Sequence, residues 1–171
     1  ALFTEQLTAL RDGGADVALI ETMSDTAEVV VAIGAARALG DWPVIATYAF
    51  QMADDQFVTM MGQGAADTVA ASINAGADVV GANCGTSLGL DDYLRLAEQL
   101  VAAAGDVPVI VQPNAGSPEQ DGEGGLIYPA TPDDMAAFVP KLLATGVGII
   151  GGCCGTTPAH LAAMRKAMDA A

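Results

Sequence analysis

The chain has 171 residues, and 52% of them are hydrophobic, which is enough for a sizeable buried core. Six basic residues against 21 acidic ones give a formal net charge of -15, which repels phosphate backbones and argues against a nucleic-acid partner. No uninterrupted stretch approaches the roughly 20 apolar residues of a membrane span, and no secretion signal is visible. We therefore expect a soluble, cytoplasmic protein with neither a membrane nor a nucleic-acid partner.

Segments with helical periodicity alternate with short apolar runs along the whole chain, after an opening helical segment that reads LFTEQLTALRDGG. Apolar runs that follow glycine-containing turns predict buried parallel strands. In chain order, the predicted strands are 17–20, 44–48, 79–82, 109–112 and 147–150. The predicted amphipathic helices are 26–39, 64–75, 91–104, 132–144 and 157–169. Either Thr156 or Thr157 is the expected N-cap of the last helix, with Pro158 in its first turn.

Strands that alternate with helices indicate right-handed βαβ units. Their spacing suits either a (β/α)8 barrel, which requires eight strands, or a self-sufficient open sheet of five strands. Because five strands are counted and the chain opens on a helix, we expect an α/β fold that is a partial (β/α)8 TIM barrel. About five βα units would then correspond to its later strands. No linker divides the chain, so residues 1–171 are expected to be one piece of a barrel, without a second domain.

A partial barrel makes a further prediction about its edges. The first and last strands would be unpaired on their outer sides, and helices would cover only one face of the sheet. The apolar surface left open predicts that a chain of this kind, isolated, is unstable or associates.

All three cysteines follow predicted strands, Cys84 after the third strand and Cys153 and Cys154 after the fifth. The carboxyl ends of parallel strands form the rim where active sites lie in these folds. A single cysteine is often a small buried hydrophobe, and neighbouring cysteines close only a strained disulfide. Three cysteines on one rim favour a shared metal ion over either a buried hydrophobic role or a disulfide. Zinc with three protein ligands keeps a fourth position open, and three thiolates suit it to hold a substrate thiol for alkylation.

Other features indicate structure rather than chemistry. His160, the only histidine, is expected to be an ordinary helix residue. Segment 47–62 combines a strand end with a loop rich in Met and Phe, which predicts a buried lid rather than a cofactor site. Residues 121–125 read DGEGG and lack the ligand spacing of a calcium loop. The chain carries no glycine-rich nucleotide-binding motif.

Four motifs, IETMSDTAE, GANCG, PNAGSPE and above all IIGGCCGTTPAHL, carry a resemblance to a known family. The chain resembles the homocysteine S-methyltransferase family, most closely the homocysteine-binding module of its cobalamin-dependent members. The resemblance spans essentially all 171 residues but only the later part of the family's barrel. The family's first strands, with a DG motif that helps to bind homocysteine, would belong to a missing N-terminal segment.

The resemblance implies a zinc site and its ligands. The three zinc-binding cysteines of the family correspond to Cys84, Cys153 and Cys154. Its strand-end glutamate, which holds the amino group of the substrate, corresponds to Glu21, and a carboxylate can pair with an ammonium group.

Further substrate-binding candidates follow from the same comparison of motifs. Asn114 corresponds to an asparagine that lies near the metal in the family. Thr22 and Asn83 neighbour the matched positions and are candidates for binding or orienting the substrate. No catalytic residue is expected beyond the zinc site.

The activity implied by the resemblance is zinc-dependent methyl transfer to the thiol of homocysteine, which gives methionine. The implied methyl donor is a methylated corrinoid, cobalamin, bound by another protein or domain. Betaine and S-methylmethionine are alternative donors. A metal-binding fragment without activity of its own is the alternative function.

Overall fold

The structure, a computed structural model, describes residues 2–171, with the side chain of Thr86 left aside. Helices and strands alternate along them. In chain order the elements are α1 (Leu2–Asp12), β1 (Ala18–Met23), α2 (Thr26–Arg37), β2 (Val44–Ala53), β3 (Gln56–Val58), α3 (Ala65–Ala75), β4 (Val79–Thr86), α4 (Leu90–Ala104), β5 (Val109–Gln112), β6 (Glu119–Gln120), β7 (Leu126–Ile127), α5 (Pro132–Ala144), β8 (Ile149–Ile150) and α6 (Pro158–Asp169).

Five strands form one parallel sheet in the order β1-β2-β4-β5-β8. β3 folds back on β2 as an antiparallel hairpin, and β6 and β7 form a separate small hairpin. Within residues 2–171, no other strand pairs with the outer sides of β1 and β8. The main sheet therefore has the two open edges that the strand count predicts.

The two faces of the sheet differ in burial. Ala18 and Ile20 of β1 are buried in the core that the strands form with the helices, whereas the intervening Leu19 is 43% exposed. Ile149, on the opposite edge strand, is 37% exposed. Each helix packs beside the next one along the chain, from α1 to α6. A single helical layer on one face of a parallel sheet defines a partial (β/α)8 barrel, as the sequence predicts.

The predicted element boundaries need correction at several ends. β2 continues beyond the predicted end at residue 48 because it turns directly into its hairpin with β3, and β4, which pairs with β2 along this extension, continues beyond residue 82. Asp54 and Asp55 make that turn with φ values of 48° and 59°, a conformation that aspartate tolerates better than most residues. The last strand comprises Ile149–Ile150 rather than 147–150, although Gly148 N–H still donates to Val109 O at 3.1 Å.

The prediction of a buried lid over residues 47–62 is correct for its phenylalanines and wrong for two of its methionines. Phe50 and Phe57 are buried in the core, whereas Met60 is 77% exposed and Met61 is 61% exposed. The hairpin directs both rings inward. A tight turn then closes from Thr59 to Gln63, with Thr59 N–H donating to Gln63 O at 2.9 Å, and it leaves the two methionines outside. None of the helices described is both long and apolar enough to cross a bilayer.

Candidate metal centre

The three cysteines meet at the carboxyl ends of the parallel strands. Cys84 lies in β4, and Cys153 and Cys154 follow β8, which is separated from β4 by β5. Their Sγ atoms all lie within 4.8 Å of one another, and those of Cys84 and Cys154 are 3.8 Å apart. The structure therefore brings together the three residues that the sequence placed on one rim.

The backbone near Cys84 bends so that its side chain can join the cluster. Cys84 has a φ of 50°, in the left-handed region that few non-glycine residues adopt. Gly85 follows with a φ of 153°, and a Cβ at that position would lie 2.9 Å from Phe50 O. The hydroxyl of Tyr93 donates a hydrogen bond to the carbonyl of Cys84. Strand β4 is thus held close against β2 at the residue that carries the thiol.

The sulfur positions fit a shared metal better than a disulfide. Two sulfurs bound tetrahedrally at about 2.3 Å from one Zn²⁺ would lie about 3.8 Å apart, which is the separation of Cys84 and Cys154. A disulfide requires about 2.05 Å, and all three cysteines are free. The residues present therefore fit a zinc ion.

The cysteines differ in their surroundings. Cys84 and Cys153 are half-buried, and Cys154 is exposed. Burial raises the pKa of the Cys153 thiol to about 11, despite a hydrogen bond from Asn83 that opposes the shift. A divalent cation would favour the thiolate form of all three residues, since it neutralises the charge that burial disfavours.

Asn83, the residue before Cys84, is fully buried and uses both ends of its amide. Its Oδ1 accepts hydrogen bonds from Thr22 N–H at 2.9 Å and from the Thr47 hydroxyl at 2.7 Å. Its Nδ2 donates to Thr22 Oγ1 at 2.6 Å and lies 3.8 Å from Cys153 Sγ. Asn83 therefore ties β1 and β2 to β4 and reaches the loop that follows β8.

Asn114 links the end of β4, which carries Cys84, to the loop that carries the other two cysteines. It is 2% exposed; its Nδ2 donates to Gly85 O at 3.3 Å, and its Oδ1 accepts from Cys154 N–H at 3.1 Å. The asparagine that the resemblance placed near the metal thus contacts the backbone directly after Cys84 and at Cys154.

Glu21 is exposed at the end of β1, and its partner was not identified from the sequence. Gln112 Nε2 donates to Glu21 Oε1 at 3.1 Å, although 91 positions separate the two residues. Gln112 could have been identified as a candidate from its position as the last residue of β5, where it pairs with Asn83 of β4. Gln112 and Glu21 therefore form a polar pair on the rim.

A cavity of about 350 Å³ opens beside the cysteines. It contains two of the predicted substrate residues, Thr22 and Asn114, together with Cys84. Four loops supply other parts of its wall that the sequence did not indicate. The residues that line the cavity are Thr22, Ser24, Ala49, Met60, Cys84, Gly85, Asn114, Pro118 and Tyr128.

His160 lies outside the thiol cluster and has a structural role. It is buried in the first turn of α6, where its Nδ1 accepts from the backbone N–H of the N-cap residue Thr157 at 3.1 Å. Its Nε2 then donates to Ala130 O at 2.9 Å. His160 is thus an ordinary helix residue, as the sequence predicts. Its hydrogen bond to Ala130 O also holds α6 against the loop before α5.

Comparison with known proteins identifies the family of the chain. The sequence model of the homocysteine S-methyltransferase family matches residues 1–168. Methionine synthase from Mycobacterium tuberculosis is 33% identical over 163 residues, and that from Mycobacterium leprae is 32% identical over the same length. Each alignment covers 93% of this chain but only 13% of the relative, so the chain spans a small part of those proteins.

A solved structure shows the same fold. The crystal structure of the homocysteine methyltransferase MmuM from Escherichia coli, in its apo form, superposes with a TM-score of 0.72 at 23% identity. The match covers 97% of this chain and 56% of that protein. The chain thus has the fold of a partial barrel with a thiol cluster on its rim, and it belongs to the homocysteine S-methyltransferase family.

Replacing Asn83 with alanine tests the support of the cluster. The change leaves the buried Thr47 hydroxyl without its acceptor and removes two part-buried hydrogen bonds with Thr22, so we expect the free energy of unfolding to fall by about 3 kcal/mol. Asn74→Ala, at an exposed position of α3, is the matched control and should change the free energy of unfolding by less than about 0.5 kcal/mol. Urea denaturation measures both. Equal unfolding midpoints for the two variants would contradict this role of Asn83.

Proposed function

We propose that residues 1–171 form the later part of a homocysteine-binding barrel, and that the protein transfers a methyl group to the thiol of homocysteine to give methionine. The observation that carries the proposal is the cluster of Cys84, Cys153 and Cys154 on the strand rim of a chain that belongs to this family. The rest of the barrel is proposed to come from a preceding segment that pairs with the open edges of β1 and β8.

The metal proposed for the cluster is Zn²⁺, with Cys84, Cys153 and Cys154 as its ligands. The 3.8 Å separation of Cys84 Sγ and Cys154 Sγ supports this assignment, because it suits tetrahedral sulfur ligation. Bound there, Zn²⁺ would supply the charge that keeps a substrate thiol deprotonated at neutral pH. Thiol ligands of this kind are stable in a reducing cytoplasm, which is the proposed location.

Recognition of the amino-acid end of the substrate is assigned to Glu21. Its exposed carboxylate can pair with an ammonium group, and the hydrogen bond from Gln112 Nε2 fixes its orientation. Thr22 lines the cavity and is proposed to contact the substrate. The polar atoms of Asn83 and Asn114 form hydrogen bonds with neighbouring groups. Both residues are proposed to orient the segments that carry the cysteines.

The proposed reaction is a displacement at the methyl carbon. The substrate sulfur uses a lone pair to form the new S–CH₃ bond, while the bond between the methyl group and its donor breaks and leaves its electron pair with the donor. The thiol proton passes to solvent. The proposed donor is a methylated corrinoid, cobalamin, held by another protein or domain that docks at the rim.

The donor assay separates the remaining alternatives. The full-length protein is incubated with homocysteine and with methylcobalamin, betaine or S-methylmethionine, and methionine is then detected. Methionine formed only with the corrinoid supports the whole proposal, whereas methionine formed with another donor corrects the donor alone. A protein that binds zinc but forms no methionine with any donor would instead be a non-catalytic metal-binding protein.

Metal content tests the ligand assignment. Purified protein should contain about one zinc per chain, and Cys84→Ser, Cys153→Ser and Cys154→Ser should each lose most of it, because a hydroxyl is a much poorer zinc ligand than a thiolate. Elemental analysis measures the content, and circular dichroism shows whether each variant is folded. Glu21→Gln serves as the control on the same rim and should keep its zinc. Full zinc in a double Cys153→Ser/Cys154→Ser variant would overturn the assignment.

The role of Glu21 predicts a loss of substrate affinity without a loss of metal. In the full-length protein, Glu21→Gln should weaken homocysteine binding by about 1.5 to 3 kcal/mol, because one charged hydrogen bond is lost. Titration calorimetry measures the affinity. Glu119→Gln, an exposed carboxylate in the β6–β7 hairpin, is the matched control and should leave the affinity unchanged. Equal affinities of native protein and Glu21→Gln would remove Glu21 from the substrate site.

A further inference from the structure

Gln112 lies on the rim between the two segments that carry the cysteines. It is the last residue of β5 and pairs in the sheet with Asn83 of β4, the residue before Cys84. On the other side of β5, Gly151 N–H donates to the β5 backbone at 3.1 Å, and Gly151 precedes Cys153 by two positions. The side chain of Gln112 therefore starts from a point that both thiol-bearing segments adjoin.

The carbon chain of Gln112 packs against a residue that has no side chain. A Cβ at Gly151 would lie 2.9 Å from Gln112 Cγ and 3.5 Å from its Nε2. Any larger residue at position 151 would displace the glutamine side chain. The close approach holds the stem of Gln112 against the backbone of the segment that leads to Cys153.

The amide of Gln112 is turned so that its donor meets Glu21. Nε2 donates to Glu21 Oε1 at 3.1 Å, while Gln112 Oε1 is buried and has no hydrogen-bond partner among the residues that the structure describes. The opposite orientation of the amide would set its carbonyl oxygen against the carboxylate, and neither group could donate. A buried acceptor without a donor is uncommon in folded proteins. The site thus keeps the donor on Glu21 even though the carbonyl oxygen stays unpaired.

A neutral donor suits a carboxylate that has to bind a cation. Within the described part of the chain, Gln112 is the only residue whose side chain hydrogen-bonds to the Glu21 carboxylate. The amide restrains one carboxylate oxygen, leaves the negative charge in place and leaves the second oxygen free to accept from an ammonium group. A lysine or arginine in the same place would instead occupy that charge.

We propose that Gln112 is a positioning residue that makes the site selective for thiols that carry an amino group, because it holds the Glu21 carboxylate at a fixed place relative to the cysteine segments. The amino group and the sulfur of one substrate molecule have to reach Glu21 and the metal centre together. A carboxylate that was free to turn away would have to be ordered when the substrate binds, which lowers the affinity. The inference rests on the proposed function, which assigns the amino group to Glu21 and the sulfur to the cysteine cluster.

Two thiols that differ only in the amino group test the inference. Titration calorimetry measures how the zinc-loaded, full-length protein binds homocysteine and γ-mercaptobutyrate, which is homocysteine without its amino group. Gln112→Met keeps the length of the side chain and its packing on Gly151 but removes the N–H donor. In this variant the affinity for homocysteine should fall about tenfold, while the affinity for γ-mercaptobutyrate should stay at the native value. Gln99→Met, at an exposed position of α4, is the matched control and should change neither affinity.

A double variant tests whether Gln112 acts through Glu21. Once Glu21→Gln has removed the carboxylate, adding Gln112→Met should weaken homocysteine binding by much less than about tenfold, since two residues that serve one interaction are not additive. Gln112→Lys gives a second single variant should circular dichroism show that Gln112→Met is unfolded. Its ammonium group would occupy the Glu21 carboxylate, so homocysteine affinity should again fall and γ-mercaptobutyrate affinity should not.

Each outcome has a distinct meaning. A loss confined to homocysteine, together with a small further loss in the double variant, supports the inference. Unchanged homocysteine affinity in Gln112→Met overturns the role of Gln112 and leaves the substrate site intact. Equal losses for both thiols, or fully additive losses in the double variant, also overturn it, because they would reflect a general structural effect. No binding of homocysteine to the native, zinc-loaded protein would overturn both this inference and the proposed function.

Discussion

The buried amide of Asn83 is the interaction on which the geometry of the rim depends. Three of its hydrogen bonds go to Thr22 and Thr47, so the end of β1 and the middle of β2 are held to β4 one residue before Cys84. A buried amide is stable only when its donors and acceptors are satisfied, which means that these three strands cannot move apart here without a large energetic cost. The same constraint keeps Thr22 in its left-handed conformation, with a φ of 62°. The side of the rim that carries Thr22 and the side that carries the thiols are therefore one connected unit.

A second set of hydrogen bonds fixes the other half of the centre. Asn114 bridges the end of β4 and the loop after β8, and Ala115 continues this link to the backbone of Cys154 and to Ala130. His160 completes the set, because it is both part of the helix cap and the donor to Ala130 O. The end of β4 and the loops after β5 and β8 are thus joined through groups that do not contact a cysteine sulfur. Such support explains how one strand end and one loop can hold three sulfurs at metal-binding distance.

The sequence was sufficient for those parts of the fold and site that follow from local periodicity. Helical and apolar runs located the strands, and the rule that parallel strands end on one rim grouped Cys84 with Cys153 and Cys154. Residues whose role depends on distant parts of the chain were out of reach. Gln112 meets Glu21 only because the curved sheet brings the ends of β5 and β1 together. Tyr128 lines the cavity beside Cys84 because it follows a hairpin of two-residue strands. The exposure of Met60 likewise depends on the turn that follows β3, which hydrophobicity alone does not encode.

The position of the cysteines also bears on the stability of the sheet. β8 pairs with β5 over only two residue positions, which makes it the least firmly attached strand of the main sheet. Cys84 lies on β4 and the other two cysteines follow β8, so a metal bound by all three would connect two strands that share no hydrogen bond and that flank β5 from opposite sides. Such a cross-link would supply attachment that the short ladder lacks, since the free energy of metal binding to the folded state adds to its stability. Burial of the Cys153 thiol opposes this stabilisation, because it disfavours the thiolate form until a cation is present. The edge of the barrel and the metal centre are therefore expected to be stabilised together, and the residues that hold the cysteines in place serve the fold and the chemistry at the same time.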